Sequence, residues 1–570
     1  MRDFKTVQNS AYDLIIIGGG INGVGIARDA ALRGLKTLLL EKDDFASGST
    51  CWSTRLIHGG LRYLEYLEFP LVRESLHERE VLLRTAPHLV QPLQMTIPLY
   101  KGAARGYWLI QAGMILYDLL SFDKTVPSHR MLGAQKFKQL FRTVRSQDVV
   151  GAAQYYDGQV EYAERLCLEN VLDAQAAGAT ILNYAAVTGL QLGDRPSEIT
   201  SITCEDQLSG ETFTVNTKGS VVVNTSGPWV DEVCNLGKVG DENKPIGDEQ
   251  KMGGTKGSHI VVDPFPGAPS GALYVEAASD NRPYFIIPWL GKYLIGTTDI
   301  KYGDSLERIK ASDAEVDYLL AETNRVLPSA QLTRADVKFT YSGVRPLPYV
   351  GDKNPSSITR SHILFDHTPE GATNLVSLIG GKLTTYRQVG EEMVDLVYRK
   401  LKRAAPACAT RKRPLPGAIA ADSSEIETMI NRYKNKVERI SIQHLFRVYG
   451  SQAIDVLALV DEAADLGDRL VPYLPDIKAQ AVYAMRTELA HNIEDICRRR
   501  TTLSMLANYG YDALPAVVDA LKQHCGLDEA ECDRQVAEYK TFIEQNCLPD
   551  FEINDPKNAE TAAAKTKVYS

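Results

Sequence analysis

The strongest constraint on the fold is a glycine-rich loop that separates a strand from a helix near the amino terminus. Residues 12–17 are apolar and too few for a helix, and three glycines follow them. Residues 22–33 have a helical pattern that Gly34 ends, and residues 36–40 form a second apolar run. This strand–helix–strand order predicts the start of a parallel sheet.

The loop itself has the spacing of a dinucleotide-binding turn, since Gly18, Gly20 and Gly23 spell G-x-G-x-x-G. The first glycine permits the turn, the second admits a pyrophosphate, and the third lets the helix pack closely on the strand. Glu41 ends the second strand, where an acid hydrogen-bonds a ribose hydroxyl. The pattern favours dinucleotide binding over a glycine turn without a ligand, but it does not separate NAD from FAD.

A second glycine turn favours FAD. Residues 375–379 form an apolar strand, Gly380, Gly381 and Lys382 follow, and a helix is predicted from about Thr384. This turn offers backbone donors and one lysine to a flavin ring or another anion. The position of the first loop at the amino terminus supports the same choice, although a purely structural Gly-Gly turn remains an alternative.

Composition excludes several functional classes. The 570 residues carry a net charge of −9, which argues against nucleic-acid binding. Nine cysteines lack any CxxC or Cys/His metal spacing, so neither a disulfide framework nor a metal site is expected. No signal peptide and no apolar run long enough to span a membrane are expected. The chain is therefore predicted to act in the cytoplasm or on the cytoplasmic side of a membrane.

One apolar segment, residues 106–122, has two interpretations. It is rich in aromatic and aliphatic residues but contains Asp118 and is short for a membrane span. A buried core helix is the first interpretation. A helix that dips into a membrane surface is the second.

The middle of the chain predicts an antiparallel element and then a capped helix. Residues 284–298 form two apolar runs around the turn Leu290-Gly291, which predicts a hairpin. Ser312 and Glu315 form a capping box before a helical pattern. These elements predict a mixed or antiparallel domain threaded into the nucleotide-binding one.

The carboxy-terminal part is predicted to be helical. A proline-rich linker follows residue 404, and Ser424 with Glu427 is predicted to open the first helix. The basic run Arg498–Arg500 lies within this pattern and is interpreted as a solvated helix face or as internal ion pairs. Residues 549–570 are predicted to be a tail.

Taken together, the motifs resemble the FAD-dependent glycerol-3-phosphate dehydrogenase family. The similarity runs in order through about residues 12–400 and continues more weakly into the helical part. The matching motifs are residues 16–25 (IIGGGINGVG), 56–65 (LIHGGLRYLE), 223–229 (VNTSGPW), 256–262 (KGSHIVV), 287–299 (IPWLGKYLIGTTD), 342–347 (SGVRPL), 380–387 (GGKLTTYR) and 493–502 (IEDICRRRTT).

The fold class that the resemblance implies is α/β plus α. It consists of a glutathione-reductase-type FAD-binding domain, an inserted antiparallel-sheet substrate cap and a helical carboxy-terminal domain. The expected limits are 12–75, 150–235 and 340–404 for the FAD domain, 76–149 and 236–339 for the cap, and 420–548 for the helical domain.

The resemblance also implies a reaction, in which a hydride leaves C2 of glycerol 3-phosphate for the flavin while a base takes the hydroxyl proton. The residues implied to contact FAD are Gly18, Gly20, Gly23, Glu41, Ser53, His58, Gly59, Gly60, Val187, Ser226, Gly227, Gly381, Lys382, Leu383 and Thr384. Those implied to surround the substrate are Arg62, Tyr63, Arg345, Arg360 and Lys382. Guanidinium groups suit a phosphate dianion because their planar fork matches two oxygens.

Two histidines are candidates for the base, because an imidazole accepts a proton near neutral pH. His259 is favoured as the base and His58 as a flavin-side group, with Arg345 as the third catalytic residue. The sequence does not decide between the histidines.

The electron acceptor has two candidates. Quinone is favoured, with peripheral contact to a membrane through residues 108–120 or through basic patches such as Arg498–Arg500. The alternative is an oxidase that passes electrons to dioxygen and releases hydrogen peroxide. An amino-acid oxidase of the same superfamily or a non-catalytic FAD-binding module is disfavoured because the arginine motifs are present. A homodimer is left open.

Overall fold

The computed structural model describes residues 3–193, 197–239, 244–247, 249–351, 358–505, 508–549 and 551. The α-helices are α1 (Phe4–Asn9), α2 (Ile21–Leu32), α3 (Phe69–Thr85), α4 (Tyr107–Leu120), α5 (Ala134–Leu140), α6 (Ala163–Ala176), α7 (Val230–Asn235), α8 (Asp313–Val326), α9 (Tyr386–Lys400), α10 (Ser424–Tyr433), α11 (Arg439–Tyr449), α12 (Ala453–Glu462), α13 (Lys478–Thr487), α14 (Ile493–Asp495), α15 (Leu514–Cys525) and α16 (Glu529–Asn546). A π-helical turn, Ile496–Arg500, extends α14.

The strands are β1 (Leu14–Ile17), β2 (Thr37–Leu40), β3 (Leu56–Ile57), β4 (Val90–Tyr100), β5 (Arg130–Gly133), β6 (Val149–Val160), β7 (Thr180–Leu182), β8 (Ala185–Leu192), β9 (Ile199–Asp206), β10 (Thr212–Asn216), β11 (Val221–Asn224), β12 (Lys238–Val239), β13 (Lys244–Pro245), β14 (Thr255–Val262), β15 (Ala272–Glu276), β16 (Pro283–Trp289), β17 (Lys292–Gly296), β18 (Ile300–Lys301), β19 (Val337–Arg345), β20 (Ile363–Asp366) and β21 (Leu375–Ile379).

A six-stranded sheet in the order β20-β21-β11-β1-β2-β7 forms the first half of the molecule. All pairs are parallel except β20 with β21. Every residue of β1 and β2 is buried, as expected for a parallel sheet that is covered on both faces. Helix α2 packs between α6 and α9 on one face, and the antiparallel sheet β8-β9-β10 shares a core with the other.

A ten-stranded sheet forms the second half. Its path is β18-β14-β17-β16-β15-β4-β6-β3, with β19 paired to β14 and β5 paired to β6. The predicted hairpin is present as β16 and β17, and Ser312 forms the predicted capping box with Glu315 at the start of α8. In this sheet His259 lies opposite Tyr341 on one side and Gly296 on the other, and Thr255 lies opposite Arg345.

Both sheets draw strands from several separate parts of the chain. Strands β6 and β19 include segments that the sequence-based limits assign to the FAD domain, yet both pair within the ten-stranded sheet. Most strands from 76–149 and 236–339 lie together in that sheet, with β4 next to β15, whereas β12 and β13 form a two-stranded sheet of their own. The domain limits remain a prediction.

The carboxy-terminal part is helical from α10 onward, as predicted. The first helix begins one residue earlier than the sequence pattern indicates, because Ser423 rather than Ser424 caps it and accepts from the Glu425 amide. Most of the predicted tail, residue 550 and residues 552–570, lies outside the described residues.

Candidate active site

A cleft of about 960 Å³ runs between the two sheets and brings most of the predicted residues together. The predicted residues that line it are Gly18, Gly20, Glu41, Ser53, His58, Tyr63, Val187, Ser226, Gly227, His259, Arg345, Arg360, Gly381, Lys382, Leu383 and Thr384. The predicted residues outside this lining are Gly23, Gly59, Gly60 and Arg62.

The glycine loop at one end of the cleft has room only for backbone. Gly18 has φ +109°, and a Cβ there would lie 2.7 Å from the Thr225 carbonyl oxygen. Gly23 lies beneath the loop, where a Cβ would collide with the Gly18 carbonyl, so its place suits the close helix–strand packing expected of the third glycine. Gly20 caps α2, and a Cβ there would meet only Thr50 Oγ1, at 3.4 Å. The open side of Gly20 therefore faces the cleft at a helix amino terminus, which suits a phosphate.

Glu41 lies beside this loop. Its carboxylate accepts hydrogen bonds from the amides of Gly19 (2.5 Å) and Asp43 (2.9 Å). Burial, reinforced by Asp43, raises the pKa of Glu41 to about 7. The side chain is thus held at the end of β2, where an acid meets a nucleotide ribose.

The second glycine turn meets the first loop across the cleft. Gly380 and Gly381 both have positive φ, and a Cβ on Gly381 would lie 2.8 Å from the side-chain nitrogen of Asn22. The Asn22 side-chain oxygen is buried, and it has no hydrogen-bond partner among the described residues. An unpaired polar atom beside two glycine turns fits a ligand that supplies its own donors, as a dinucleotide does.

The two candidate histidines occupy different surroundings. His259 is 2% exposed, stacks on Tyr341 at 4.7 Å, and shares a hydrogen bond of 2.9 Å between its Nε2 and Thr54 Oγ1. Its Nδ1 has no partner among the described residues. Burial, and then Arg345, holds the pKa of His259 well below its usual value, so the ring is neutral at pH 7. Burial and Lys382 lower the pKa of His58 to about 3.

Three guanidinium groups share the carboxylate of Asp299. Arg282 and Arg345 lie 2.9 and 3.1 Å from its oxygens, and Arg360 lies 3.5 Å away. Burial alone would raise the pKa of Asp299, but Arg345 and Arg360 hold it below its usual value. Of the three, Arg345 and Arg360 line the cleft, where their planar forks suit a phosphate or another oxyanion.

Lys382 and Tyr63 extend the cationic surface. The Lys382 ammonium lies 4.6 Å from the Tyr63 ring centre and donates to Ser75 Oγ at 2.8 Å. Arg62 lies over the Tyr66 ring instead and does not line the cleft. The adjacent glycines serve backbone geometry: the Gly59 amide donates to the Tyr117 hydroxyl, and Gly60 has φ +75°.

No local sequence pattern points to several residues in and around the site. Arg282, which binds Asp299, lies just before β16 and resembles any single surface arginine. Thr54 and Tyr341 are recognised only once the fold brings them to His259. Asn492, Glu494 and Arg499 line the cleft from the helical part, and all three lie in or beside the motif at residues 493–502.

The interpretation of Arg498–Arg500 as a basic surface patch is wrong. All three side chains are buried. Arg499 and Arg500 bind Asp44 at 2.5 and 2.7 Å, and Arg499 also binds Asp495 at 2.6 Å. The alternative of internal ion pairs is confirmed, because buried guanidinium groups need anionic partners.

Helix α4 has one buried face and one exposed apolar face, so each interpretation of residues 106–122 describes part of it. Ile110, Met114 and Tyr117 are buried, whereas Trp108 is 78% and Leu119 66% exposed. The next residues extend this apolar surface, since Phe122 is 77% exposed. The interpretation as a purely buried core helix is therefore wrong, and the outer face is free for contact with a partner.

Models of known protein families match most of the chain. Residues 13–387 match the family model described as FAD dependent oxidoreductase, and residues 408–532 match the C-terminal domain of alpha-glycerophosphate oxidase. The chain is 66% identical to a glycerol-3-phosphate dehydrogenase of Synechocystis sp., over 97% of this chain and 100% of the relative.

The chain belongs to the FAD-dependent glycerol-3-phosphate dehydrogenase family.

Two further relatives in or near this family were found. A D-erythritol 1-phosphate dehydrogenase of Brucella abortus is 38% identical over 86% of this chain and 94% of its own length. The structure of the glycerol-3-phosphate dehydrogenase from Bacillus halodurans complexed with FAD superposes with a TM-score of 0.73 at 28% identity, covering 95% of this chain and 96% of the other. The predicted fold class and the FAD cofactor are confirmed.

Membership of the family leaves the acceptor and the membrane contact undecided. In the described part of the chain, no helix has both the length and the apolar character needed to cross a bilayer.

Proposed function

We propose that this protein oxidises sn-glycerol 3-phosphate to dihydroxyacetone phosphate, with FAD as the hydride acceptor and quinone as the final acceptor. The observation that carries the proposal is that Arg345 and Arg360, which share the carboxylate of Asp299, line the same cleft as His259. Two guanidinium groups and a neutral base in one cleft suit an alcohol that carries a phosphate.

The phosphate is proposed to bind Arg345 and Arg360, with Lys382 and Tyr63 beside them. Arg345 is held in place by hydrogen bonds to the Thr297 hydroxyl (3.1 Å) and the Thr298 carbonyl (3.2 Å). A guanidinium that is already oriented loses less entropy when the anion binds. A role for Arg62 at the substrate stays a prediction.

His259 is proposed to take the proton of the C2 hydroxyl. Its Nδ1 is unpaired among the described residues, while Thr54 and Tyr341 fix the ring. The depressed pKa of His259 keeps the nitrogen unprotonated and able to accept. FAD supplies the hydride acceptor, and His58 with the Gly381–Thr384 turn is proposed to lie on the flavin side.

The proposed quinone acceptor rests on α4. Its inner face reaches the flavin-side loop, since the Tyr117 hydroxyl accepts from the Gly59 amide at 3.0 Å. Its outer face presents Trp108, Leu109 and Leu119 to solvent. A helix is about 10 Å across, so a membrane that covers this face brings a lipid-soluble acceptor near the cleft.

Anaerobic reduction of the bound flavin tests the substrate. Glycerol 3-phosphate should bleach the flavin rapidly and glycerol should not, because glycerol lacks the phosphate. D-erythritol 1-phosphate is the third arm, since one relative carries that name. Faster reduction by the tetritol phosphate than by glycerol 3-phosphate would contradict the proposed substrate.

Reoxidation of the reduced enzyme tests the acceptor. Quinone in liposomes should restore the flavin colour much faster than air-saturated buffer does. Rapid reoxidation by dioxygen with stoichiometric peroxide would identify the oxidase alternative instead.

A further inference from the structure

Asn492, Glu494 and Arg499 of the helical carboxy-terminal part line the nucleotide cleft, as do Phe542, Gln545 and Asn546 of α16. They belong to neither of the sheets that form the rest of it. We propose that this part completes the adenosine end of the FAD site, so that FAD binding and docking of residues 489–501 stabilise each other.

The position of these residues identifies the end of the cleft. Glu41, which ends β2, accepts the Ala185 amide at its carbonyl, and Asp43 accepts the Tyr184 amide in the same way. The start of β8 therefore lies directly beside Glu41. In a strand–helix–strand nucleotide fold, the acid at the end of the second strand binds the ribose, so this end receives adenosine rather than flavin.

Tyr184 joins this end to the carboxy-terminal part. Its hydroxyl donates to Asp495 at 2.6 Å and accepts from the Asn492 side chain at 2.8 Å. The neighbouring Asn183 side chain donates to the Leu489 carbonyl at 2.8 Å. The turn between β7 and β8 is thus fixed by residues more than 300 positions further along the chain.

Asp44 forms a second contact between the wall of the cleft and the carboxy-terminal part. Its side chain is fully buried and is held by Arg499 and Arg500, which keep its pKa well below the usual range although burial alone would raise it. Asp44 follows Asp43 and precedes Ser47–Thr50, which line the cleft. A buried carboxylate is stable only when cations neutralise its charge. The ion pairs of Asp44 therefore fix the wall of the cleft to the carboxy-terminal part.

The side chains of the carboxy-terminal part that face the cleft determine which groups of FAD they can bind. The Glu494 side chain is 26% exposed, pairs with Arg499 at 2.9 Å and faces the cleft together with Asn492. A carboxylate and an amide can accept from ribose hydroxyls and from the adenine amino group. The carboxy-terminal part therefore contributes to affinity for the adenosine half of FAD.

Two variants and one control test the proposal on apoprotein titrated with FAD, with flavin fluorescence as the measure. Tyr184→Phe removes one hydroxyl without changing shape, and Glu494→Gln removes a charge from a partly exposed side chain. Each should weaken FAD binding by about tenfold to a hundredfold, as expected for the loss of a hydrogen bond to a charged group. Tyr473→Phe is the control, because its hydroxyl also binds an aspartate, Asp512, but does not line the cleft.

Hydrogen exchange in the wild type provides the second measure. FAD should slow exchange of the amides of residues 489–501 by at least about tenfold, because coupling between two binding events is reciprocal. The isolated flavin mononucleotide, which lacks adenosine, should give much less protection. FAD affinities within twofold of wild type in both folded variants, or unchanged exchange at residues 489–501, would each overturn the proposal.

Discussion

The two ends of the cleft are constructed in opposite ways. At the proposed cofactor end, the loop that faces the pyrophosphate consists of backbone, with Gly18 and Gly20 close together in the chain. At the proposed substrate end, Arg345 and Arg360 come from distant segments and share the carboxylate of Asp299. An added side chain at the glycine loop should therefore block FAD binding. At the substrate end, the loss of a charge or of a hydrogen bond should weaken substrate binding.

The largest effect is expected from an added side chain at the cofactor end. Gly20→Val should abolish stoichiometric FAD binding and with it all activity, because the new methyl groups would occupy the pyrophosphate path. The fold should survive, since the nearest atom to a new Cβ is Thr50 Oγ1 at 3.4 Å. Flavin absorbance per chain is the measurement. Gly133→Val, whose Cβ would meet nothing within 4 Å, is the control. If Gly20→Val keeps its full FAD content, the pyrophosphate does not pass over Gly20.

The next largest effect concerns the proposed base. His259→Asn should lower kcat by roughly 10²–10⁴, the usual contribution of a general base, while FAD content stays unchanged. His524→Asn, in the helical part, is the control. Because burial depresses the pKa of His259, the acid limb of kcat/KM in the wild type should lie below the ordinary histidine value of about 6.5. An acid limb above that value would argue against His259.

A smaller effect is expected when the charge at the substrate end stays but the geometry changes. Arg345→Lys loses the planar fork, and removal of a charged hydrogen bond costs about 1.5–3 kcal/mol. That cost corresponds to about tenfold to a hundredfold in kcat/KM for glycerol 3-phosphate. The weak activity on glycerol should change little, because glycerol never makes the contact. Arg334→Lys, a surface arginine paired with Asp317, is the control.

Equal losses of Arg345→Lys on glycerol and on glycerol 3-phosphate would show that Arg345 acts on the flavin or on the fold. The proposed division of the cleft into a cofactor end and a substrate end would then be wrong.

The smallest effect on catalysis is expected outside both ends, on α4. Leu119→Glu should leave activity with a soluble dye acceptor within about twofold of wild type, because its side chain is 66% exposed and does not line the cleft. Binding to liposomes should fall by roughly tenfold, since a buried leucine contributes about 1.5–3 kcal/mol. Leu208→Glu, an exposed leucine in another part of the molecule, is the control. Equal liposome binding by both variants would remove α4 as the contact.

The same contrast explains how much could be predicted from the sequence. Strand β1, the glycine loop, the β16–β17 hairpin and the capping box at Ser312 depend on neighbours in the chain, and all were predicted. Arg282 and the contact of Tyr341 with His259 depend on pairing between strands that are far apart in sequence, so no local pattern could reveal them. The resemblance implied Arg345 and Arg360, and Asp299 closes the motif at residues 287–299, but no motif indicated that this carboxylate binds both arginines.

Burial was the least predictable property. A run of three arginines is usually solvated, yet Arg498–Arg500 are buried, and Asp44, about 450 residues earlier, binds Arg499 and Arg500. An apolar helix is usually covered, yet α4 leaves Trp108 and Leu119 exposed. In both cases burial depends on the fold around the segment and not on the local sequence.

The interleaving of the two sheets has a consequence for the growing polypeptide on the ribosome. Strand β1 can pair with β2 within the first 40 residues, but its other neighbour, β11, is not synthesised until residue 224. The other edge of β11 stays unpaired until β21 is synthesised, and β21 ends at residue 379. Unpaired valine-rich edges attract other chains, so a nascent chain of intermediate length is exposed to aggregation until its last central strand emerges.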